Sequence, residues 1–361
     1  MKRYNLFILL TTFARVLIEI FIPVILYKQG FNLKSILLFL IVAFIFNIIT
    51  VLLINMTKPC YKLLAFSSAF LFILMYYLLS IRANIYLLSL LYSLNNTFYF
   101  LVKHNYGINV IDKKIGTRVG GFMIWAILAG IPASYIGSIL IKKLSTLLVI
   151  VIVLVIYILG ILPILKIKLA YVENKVLLKE LKKVPLKNIL FFIAIQFKTI
   201  FFLLFPLYIF IYIKKQLEYV GIINLITGIA SIIFIFFYSR FMDKKKNDFM
   251  FYSALFLSVI TLIEVTLASS FALLFTSFVE GMATKMYEVS TTRDIYYIDK
   301  KVDKNSYFIL FELINNLSKL IIVVILYFLN NSFQRILIIL VIGIFISGLV
   351  KYQTPKEKST Y

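Results

Sequence analysis

Apolar residues gather along this chain in runs of about 20, parted by short basic segments, and the pattern recurs from end to end. A run of that length makes a helix able to cross about 30 Å of hydrocarbon. Twelve such helices are predicted. The first half reads Asn5–Tyr27, Ser35–Asn55, Leu63–Ser80, Asn84–Val102, Gly120–Ile141 and Leu144–Leu165. The second reads Ile189–Ile213, Val220–Tyr238, Phe249–Leu267, Phe271–Thr291, Ser306–Leu329 and Phe333–Val350. Twelve helices of ~20 residues leave ~120 positions for connections, enough only for short loops and no soluble domain. The expected fold class is an all-α polytopic membrane protein. The apolar stretch behind Met1, Lys2 and Arg3 exceeds 20 residues without a small-residue cleavage site, so it is read as the first span and not as a signal peptide.

Composition sharpens this picture by exclusion. The chain is 62% hydrophobic and only 15% charged, whereas soluble chains are about half apolar and about a quarter charged. Cys60 is the single cysteine, which rules out an intrachain disulfide or a thiolate cluster. His104 is the single histidine, which excludes multi-histidine metal sites. No phosphate-binding GxxxxGK[ST] segment is present. No metal, no cofactor and no nucleic-acid partner is expected. The net charge of +23 is informative through its placement: with a cytoplasmic N-terminus, 26 of the 38 Lys and Arg fall inside and 8 outside. Both termini are therefore expected in the cytoplasm. The longest connection, 166–187, is basic with Leu177, Leu178 and Leu181 interleaved, and reads as a cytoplasmic linker helix on the anionic lipid surface. It separates a six-helix bundle at 1–165 from another at 188–351, followed by a cytoplasmic tail at 352–361.

Local motifs add a family likeness. After the eighth run stands Ser239-Arg240-Phe241-Met242-Asp243-Lys244-Lys245-Lys246-Asn247. The loop after the second run, Leu53 to Lys62, keeps Lys58 and Lys62 and puts Thr57 where the aspartate would sit, 186 residues before Asp243. The fifth run holds Gly130-Ile131-Pro132 and then Gly137-Ser138. Together with the six-plus-six layout, these features resemble the major facilitator superfamily of secondary transporters, with its cytoplasmic signature loop and its exporter kink on the fifth helix. The resemblance implies two pseudo-symmetric six-helix halves, and it makes Asp243, Lys244 and Pro132 gating candidates. The fourth run carries Asn95-Asn96-Thr97 in place of the arginine signature of drug:proton antiporters, which argues against a standard multidrug exporter.

Charges at mid-membrane depth cost roughly 2.5–3.5 kcal/mol on insertion scales and are functional candidates by default. Counted at about 1.5 Å per residue, Arg15 lies ~15 Å into the first helix, Glu19 ~21 Å, and Lys198 and Glu280 ~13 Å into the seventh and tenth. In the family, helices one, four, seven and ten line the central cavity. The resemblance thus makes Arg15, Glu19, Asn95, Asn96, Lys198, Glu280 and Thr284 candidates for substrate contact or proton coupling. Arg15 and Glu19, four apart, either neutralise each other or hold a transferable proton. Asn95 and Asn96 point about 100° apart, so one is expected to face the cavity. Lys198 needs Glu280, Glu19 or an anionic ligand. Lys285 and Glu288 lie nearer the cytoplasmic boundary and read as a gate. Glu312, Asn315, Asn316 and Lys319 form one stripe, expected to be a structural polar network. Glu264 reads as interfacial and His104 as a surface residue.

The function expected is a proton-coupled secondary transporter of major facilitator type, an antiporter exporting a small organic solute, anionic or amphipathic, by alternating access. It would act as a monomer in the cytoplasmic membrane of a bacterium, the Ile, Lys, Asn and Phe bias being that of AT-rich coding. The alternatives are a flippase for a glycolipid or lipid-linked headgroup and, further off, a membrane sensor without flux. An intramembrane enzyme would need a nucleophile and a base at one depth, which a single His and a single Cys do not supply, so no enzyme activity is expected.

Overall fold

The computed structural model describes residues 2–57, 60–108, 115–166, 184–244, 249–267, 269–296, 304–329 and 332–352. Every described element is a helix. Among the described residues, eleven helices are long and apolar enough to cross a membrane. The remaining long one, Ser270–Tyr296, carries Glu280, Lys285 and Glu288, and these lower its hydropathy. Counting it, the chain runs through twelve spans, numbered here in order. The expected linker core at 167–183 and the tail at 353–361 lie outside the described residues.

Several helices overshoot the apolar runs that announce them. Span four is Ile85–Ile108, span five Ile115–Lys143, span eight Leu217–Lys244 and span eleven Lys304–Phe328. Hydropathy registers only the hydrocarbon, whereas a helix continues where Lys and Arg can reach the headgroups. Tyr4 Oη donates to the Lys103 carbonyl at 2.9 Å and Arg3 Nη1 to the Lys166 carbonyl at 3.3 Å. The start of span one is thus level with the ends of spans four and six, on what is called below the terminal face. On the opposite face, Tyr219 Oη donates to the Ser270 carbonyl at 2.5 Å.

Spans one and seven, expected to be continuous, are broken. Span one is Lys2–Glu19 and then Ile22–Lys28, interrupted at Ile20 and Phe21. Pro23 is the cause: it has no N–H to donate, and its ring collides with the carbonyl four residues back, that of Glu19. Span seven is Leu186–Ala194, then Gln196–Tyr208, then a π-helical turn at Ile209–Ile213. Pro206 removes the bond to the Phe202 carbonyl, and the widened turn follows directly.

Within the first half, span one packs on spans five and six, and span four on spans two and three. In the second half, span twelve packs on spans seven and nine, and span ten on spans eight and nine. The halves meet along two seams, span five against span eight and span two against span eleven. Small residues set the first seam: a Cβ at Gly228 would strike the Ile131 side chain. Gly137 lies against the backbone of Leu17 in the same way, seating span five on span one.

Candidate substrate cavity and its buried charges

A cavity of about 660 Å³ lies between the halves. Thr12, Val16 and Ile20 line it from span one, Ile127 to Ser134 from span five, Lys198 to Ile209 from span seven, Asn224 to Ser231 from span eight, and Glu280 to Thr292 from span ten. Span four contributes Lys103. Spans five and eight therefore form more of the wall than the family resemblance implied. Four of their wall-facing positions are small (Gly130, Ser134, Gly228, Ser231), which leaves room for the hollow along them.

The charged floor of the cavity is a triad. Lys198 Nζ pairs with Glu288 Oε1, and Lys285 Nζ pairs with Oε2 of the same carboxylate. Phe202 and Tyr287 place their ring centroids 5.4 and 5.7 Å from the Lys198 ammonium. The expected partners of Lys198, Glu280 and Glu19, are not the ones it takes. Glu288 is two turns, about 12 Å, nearer the terminal face than Glu280, and the stem of Lys198 carries its ammonium several ångströms toward that face. Glu280 is buried and accepts a hydrogen bond from Thr227 Oγ1 at 3.1 Å; it makes no ion pair among the described residues. Thr284 Oγ1, one turn below, has no hydrogen-bond partner among the described residues. Glu280, Thr284, Lys285 and Glu288 all line the hollow.

Arg15 is placed elsewhere. It is 3% exposed and enclosed within the first half, and neither it nor Glu19, Asn95 or Asn96 belongs to the cavity lining. Its five N–H donors meet five acceptors. Nε and Nη2 hold the two Glu19 oxygens at 3.0 and 2.8 Å. Nη1 donates to Asn95 Oδ1 at 3.2 Å and to Tyr157 Oη at 3.5 Å, and Nη2 also donates to Asn96 Oδ1. The Tyr99 ring lies 4.1 Å from the guanidinium carbon. Both asparagines thus serve one cation, because a planar guanidinium spans the angle between them. The expectation that one would face the cavity is corrected accordingly.

His104 is not a surface residue. Its Nε2 lies 3.1 Å from Glu312 Oε1, a polar contact across the two halves from span four to span eleven. Phe100 and Phe311 flank the imidazole, each with ring centroids at 6.2 Å. Elsewhere on the span-eleven stripe, Gln196 Nε2 donates to Asn315 Oδ1 at 2.8 Å, and Asn316 Nδ2 to the Glu312 carbonyl at 2.8 Å. Lys319 Nζ lies 5.9 Å from the Phe44 ring in the seam with span two. Glu264, expected at the interface, is instead 2% exposed. Pro132 lies inside an unbroken span five, between the cavity-lining Ile131 and Ser134. Asp243 and Lys244 close span eight outside the residues whose side chains are described.

No family model matches the sequence, and no curated protein is similar to it in sequence. Solved structures do match. A bacterial homologue of the iron transporter ferroportin, in an outward-facing state, superposes with a TM-score of 0.69 at 12% identity over 97% of each chain. A variant of the E. coli fucose:proton symporter superposes at 0.66 with 16% identity over 98% of each chain. A third, FucP described as a major facilitator superfamily transporter in the outward conformation, gives 0.66 at 15% over 98% of each. At such identities the likeness is one of fold. The chain has the major facilitator fold, twelve helices in two halves, as the family resemblance implied.

Proposed function

We propose that the protein is a secondary transporter that moves a small anionic organic solute through the inter-half cavity, coupled to protons. One observation carries this reading. Three ammonium groups, Lys103, Lys198 and Lys285, face the cavity against two carboxyl groups, Glu280 and Glu288, among the described lining residues. The cavity keeps an excess positive charge even with both acids ionised, and an anion supplies the missing partner. Glu280 has a single hydroxyl partner and no cation, so it is the acid whose protonation changes the charge that a solute meets. The breaks in spans one and seven flank the hollow at Ile20 and Ile209, where a rocking motion would bend them.

Both termini are assigned to the cytoplasm on the charge distribution, and the chain to the cytoplasmic membrane of a bacterium as a monomer. The Gly130 to Pro132 stretch favours export and hence antiport. The charges gather toward the terminal face, and Ile20, Phe205, Ile209 and Ile223 line the opposite part of the hollow. That division supports a second reading, a flippase holding a lipid-linked anionic headgroup with its tail along the apolar wall.

The test begins with metabolite and lipid comparison of cells with and without the protein. Flux of the changed species into proteoliposomes under an imposed pH gradient then decides. Gradient-driven movement of a water-soluble anion supports the first reading, movement of a lipid between leaflets supports the second, and no flux of either rejects both.

A further inference from the structure

Between the charged triad and the apolar end of the hollow, spans eight and ten present side chains that form hydrogen bonds. The two helices touch there. A Cβ at Gly281 would strike the Thr227 carbonyl, and Ser231 Oγ donates to the Gly281 carbonyl at 3.0 Å. Thr227 Oγ1 donates across the same contact to Glu280 Oε2. Asn224 stands one turn from Thr227, and Thr284 one turn from Glu280, so these four make one continuous patch of the cavity they all line.

The patch has hydrogen-bonding capacity to spare. Asn224 Nδ2 donates to the Val220 carbonyl at 2.9 Å, while its Oδ1 accepts nothing among the described residues. Thr227 has committed its proton to Glu280 and keeps acceptor lone pairs. Thr284 stands out most. It is 7% exposed, and its Oγ1 has no partner among the described residues. On the same span, Ser277, Ser290 and Thr291 each donate to the carbonyl four residues back, at 2.6, 2.9 and 3.0 Å. That bond is the local resource of a hydroxyl on a helix, and Thr284 leaves the Glu280 carbonyl unused. A helical threonine has two accessible rotamers, so its hydroxyl can turn to a group in the hollow.

An alkyl chain laid on this patch would keep its polar groups unpaired, which is costly in a buried site. A hydroxyl both donates and accepts, and so matches a donor at Thr284 with acceptors at Thr227 and Asn224. Thr284 is one turn, about 6 Å, from Glu288, so an anionic group held at the triad lays the rest of its molecule along the patch. We propose that the solute is a hydroxylated organic anion, of the chemical class of sugar acids and polyol phosphates. Its anionic group meets Lys198 and Lys285, its hydroxyl groups meet the patch, and Thr284 sets the preference for hydroxyl over alkyl. The inference rests on the reading of the cavity as anion-binding and adds what else the anion carries. A site built to bond a hydroxyl discriminates strongly against the analogue that lacks it, because its own polar groups are then left buried and unpaired.

The test uses two pairs of probes matched in charge and chain length: gluconate with hexanoate, and glycerol phosphate with propyl phosphate. Thermal unfolding of the full chain in detergent, at fixed pH and ionic strength, gives an apparent dissociation constant for each from the rise with probe concentration. The hydroxylated member of at least one pair should bind ten-fold or more tightly than its partner. Thr284→Val should reduce that ratio to below about three-fold, and Thr284→Ser should keep it. Without probe, Thr284→Val should unfold no earlier than the wild type, since the hydroxyl it removes has no bond to lose. Earlier unfolding would give the hydroxyl a structural role and overturn its assignment to the solute. If Thr284→Val does not fold, Asn224→Leu carries the same test of the ratio. Equal or tighter binding of the alkyl member in both pairs would overturn the inference and favour a lipid tail, with the anionic reading intact. If none of the four probes binds, or Lys198→Ala leaves their binding unchanged, the anionic reading itself fails and this inference falls with it.

Discussion

His104 of span four and Glu312 of span eleven meet Nε2 to Oε1 at 3.1 Å, a polar contact that ties the two halves together at the terminal face. Beside it Val51, Leu101 and Ile309 close a small apolar cluster drawn from spans two, four and eleven. The opposite face has its own bridges: Tyr27 lies edge-on to Phe210 with ring centroids at 6.5 Å, and Lys142 pairs with Glu218. The cavity is thus strapped at both ends by contacts between halves, and under the transport proposed above alternating access would require each set to part in turn.

Removing one member of the terminal strap should loosen that face. His104→Ala leaves Glu312 buried without its partner, a loss of about 1–3 kcal/mol, visible as a lower unfolding temperature. With Cys60 replaced by Ser, cross-linking of cysteines placed at Leu101 and Ile309 should fall when His104→Ala is added. An unchanged yield would show that the His104–Glu312 contact does not hold this end closed.

Native Cys60 offers a direct check on topology. It is exposed, precedes span three and is the only cysteine of the chain. A membrane-impermeant maleimide should therefore label it in opened vesicles and not in intact cells. Labelling in intact cells would reverse the assigned orientation.

The bundle was legible because hydrophobicity in lipid is nearly binary: a run of about 20 apolar residues has few alternatives to a helix across the bilayer. Arg15 and Glu280 are buried and Lys198 is 13% exposed beside the cavity, but the direction in which each points was not legible. Arg15 turns into its own half because span one is packed on spans five and six and broken just above Glu19, and neither fact is written in the residues near it. The pairing of Lys198 with Glu288 was missed since counting residues fixes the depth of a Cα, while a lysine carries its charge several ångströms away. Glu264 was hidden for the converse reason: Gln334 and Tyr208, distant in sequence, bury the end of span nine. Pro23 was the one local signal available for the break in span one.

Arg15 is expected to matter for folding and not for the solute. Its five donors are all satisfied inside the first half, so Arg15→Ala strands Glu19 and should cost about 3–5 kcal/mol, measured by chemical or thermal unfolding. Arg15→Lys should rescue little, because an ammonium has three donors where the cage offers five acceptors. Once an anionic solute is known, its affinity in folded Arg15→Lys should match the wild type. A ten-fold loss, about 1.4 kcal/mol, would return Arg15 to the binding site.

The triad makes the sharpest forecast. Lys198 and Lys285 share the Glu288 carboxylate, so one positive charge in the group is unbalanced unless Glu280 is ionised or an anion is bound. Lys198→Ala removes that excess and should weaken an anionic solute by ten-fold or more, at least ~1.4 kcal/mol, with folding preserved because Lys285 still neutralises Glu288. Glu288→Gln leaves two unpaired ammonium groups; it should lower the unfolding temperature, and added anionic solute should restore it. Glu280→Gln keeps the site permanently in its proton-bound charge state. Downhill exchange should persist in that variant and uphill transport under a pH gradient should stop. These outcomes separate the solute from the proton: one variant changes affinity, the next stability, the third coupling alone. If Lys198→Ala instead lowers the unfolding temperature and Lys198→Ala with Glu288→Gln restores both stability and full flux, the triad is a strut between spans seven and ten, and the solute binds elsewhere.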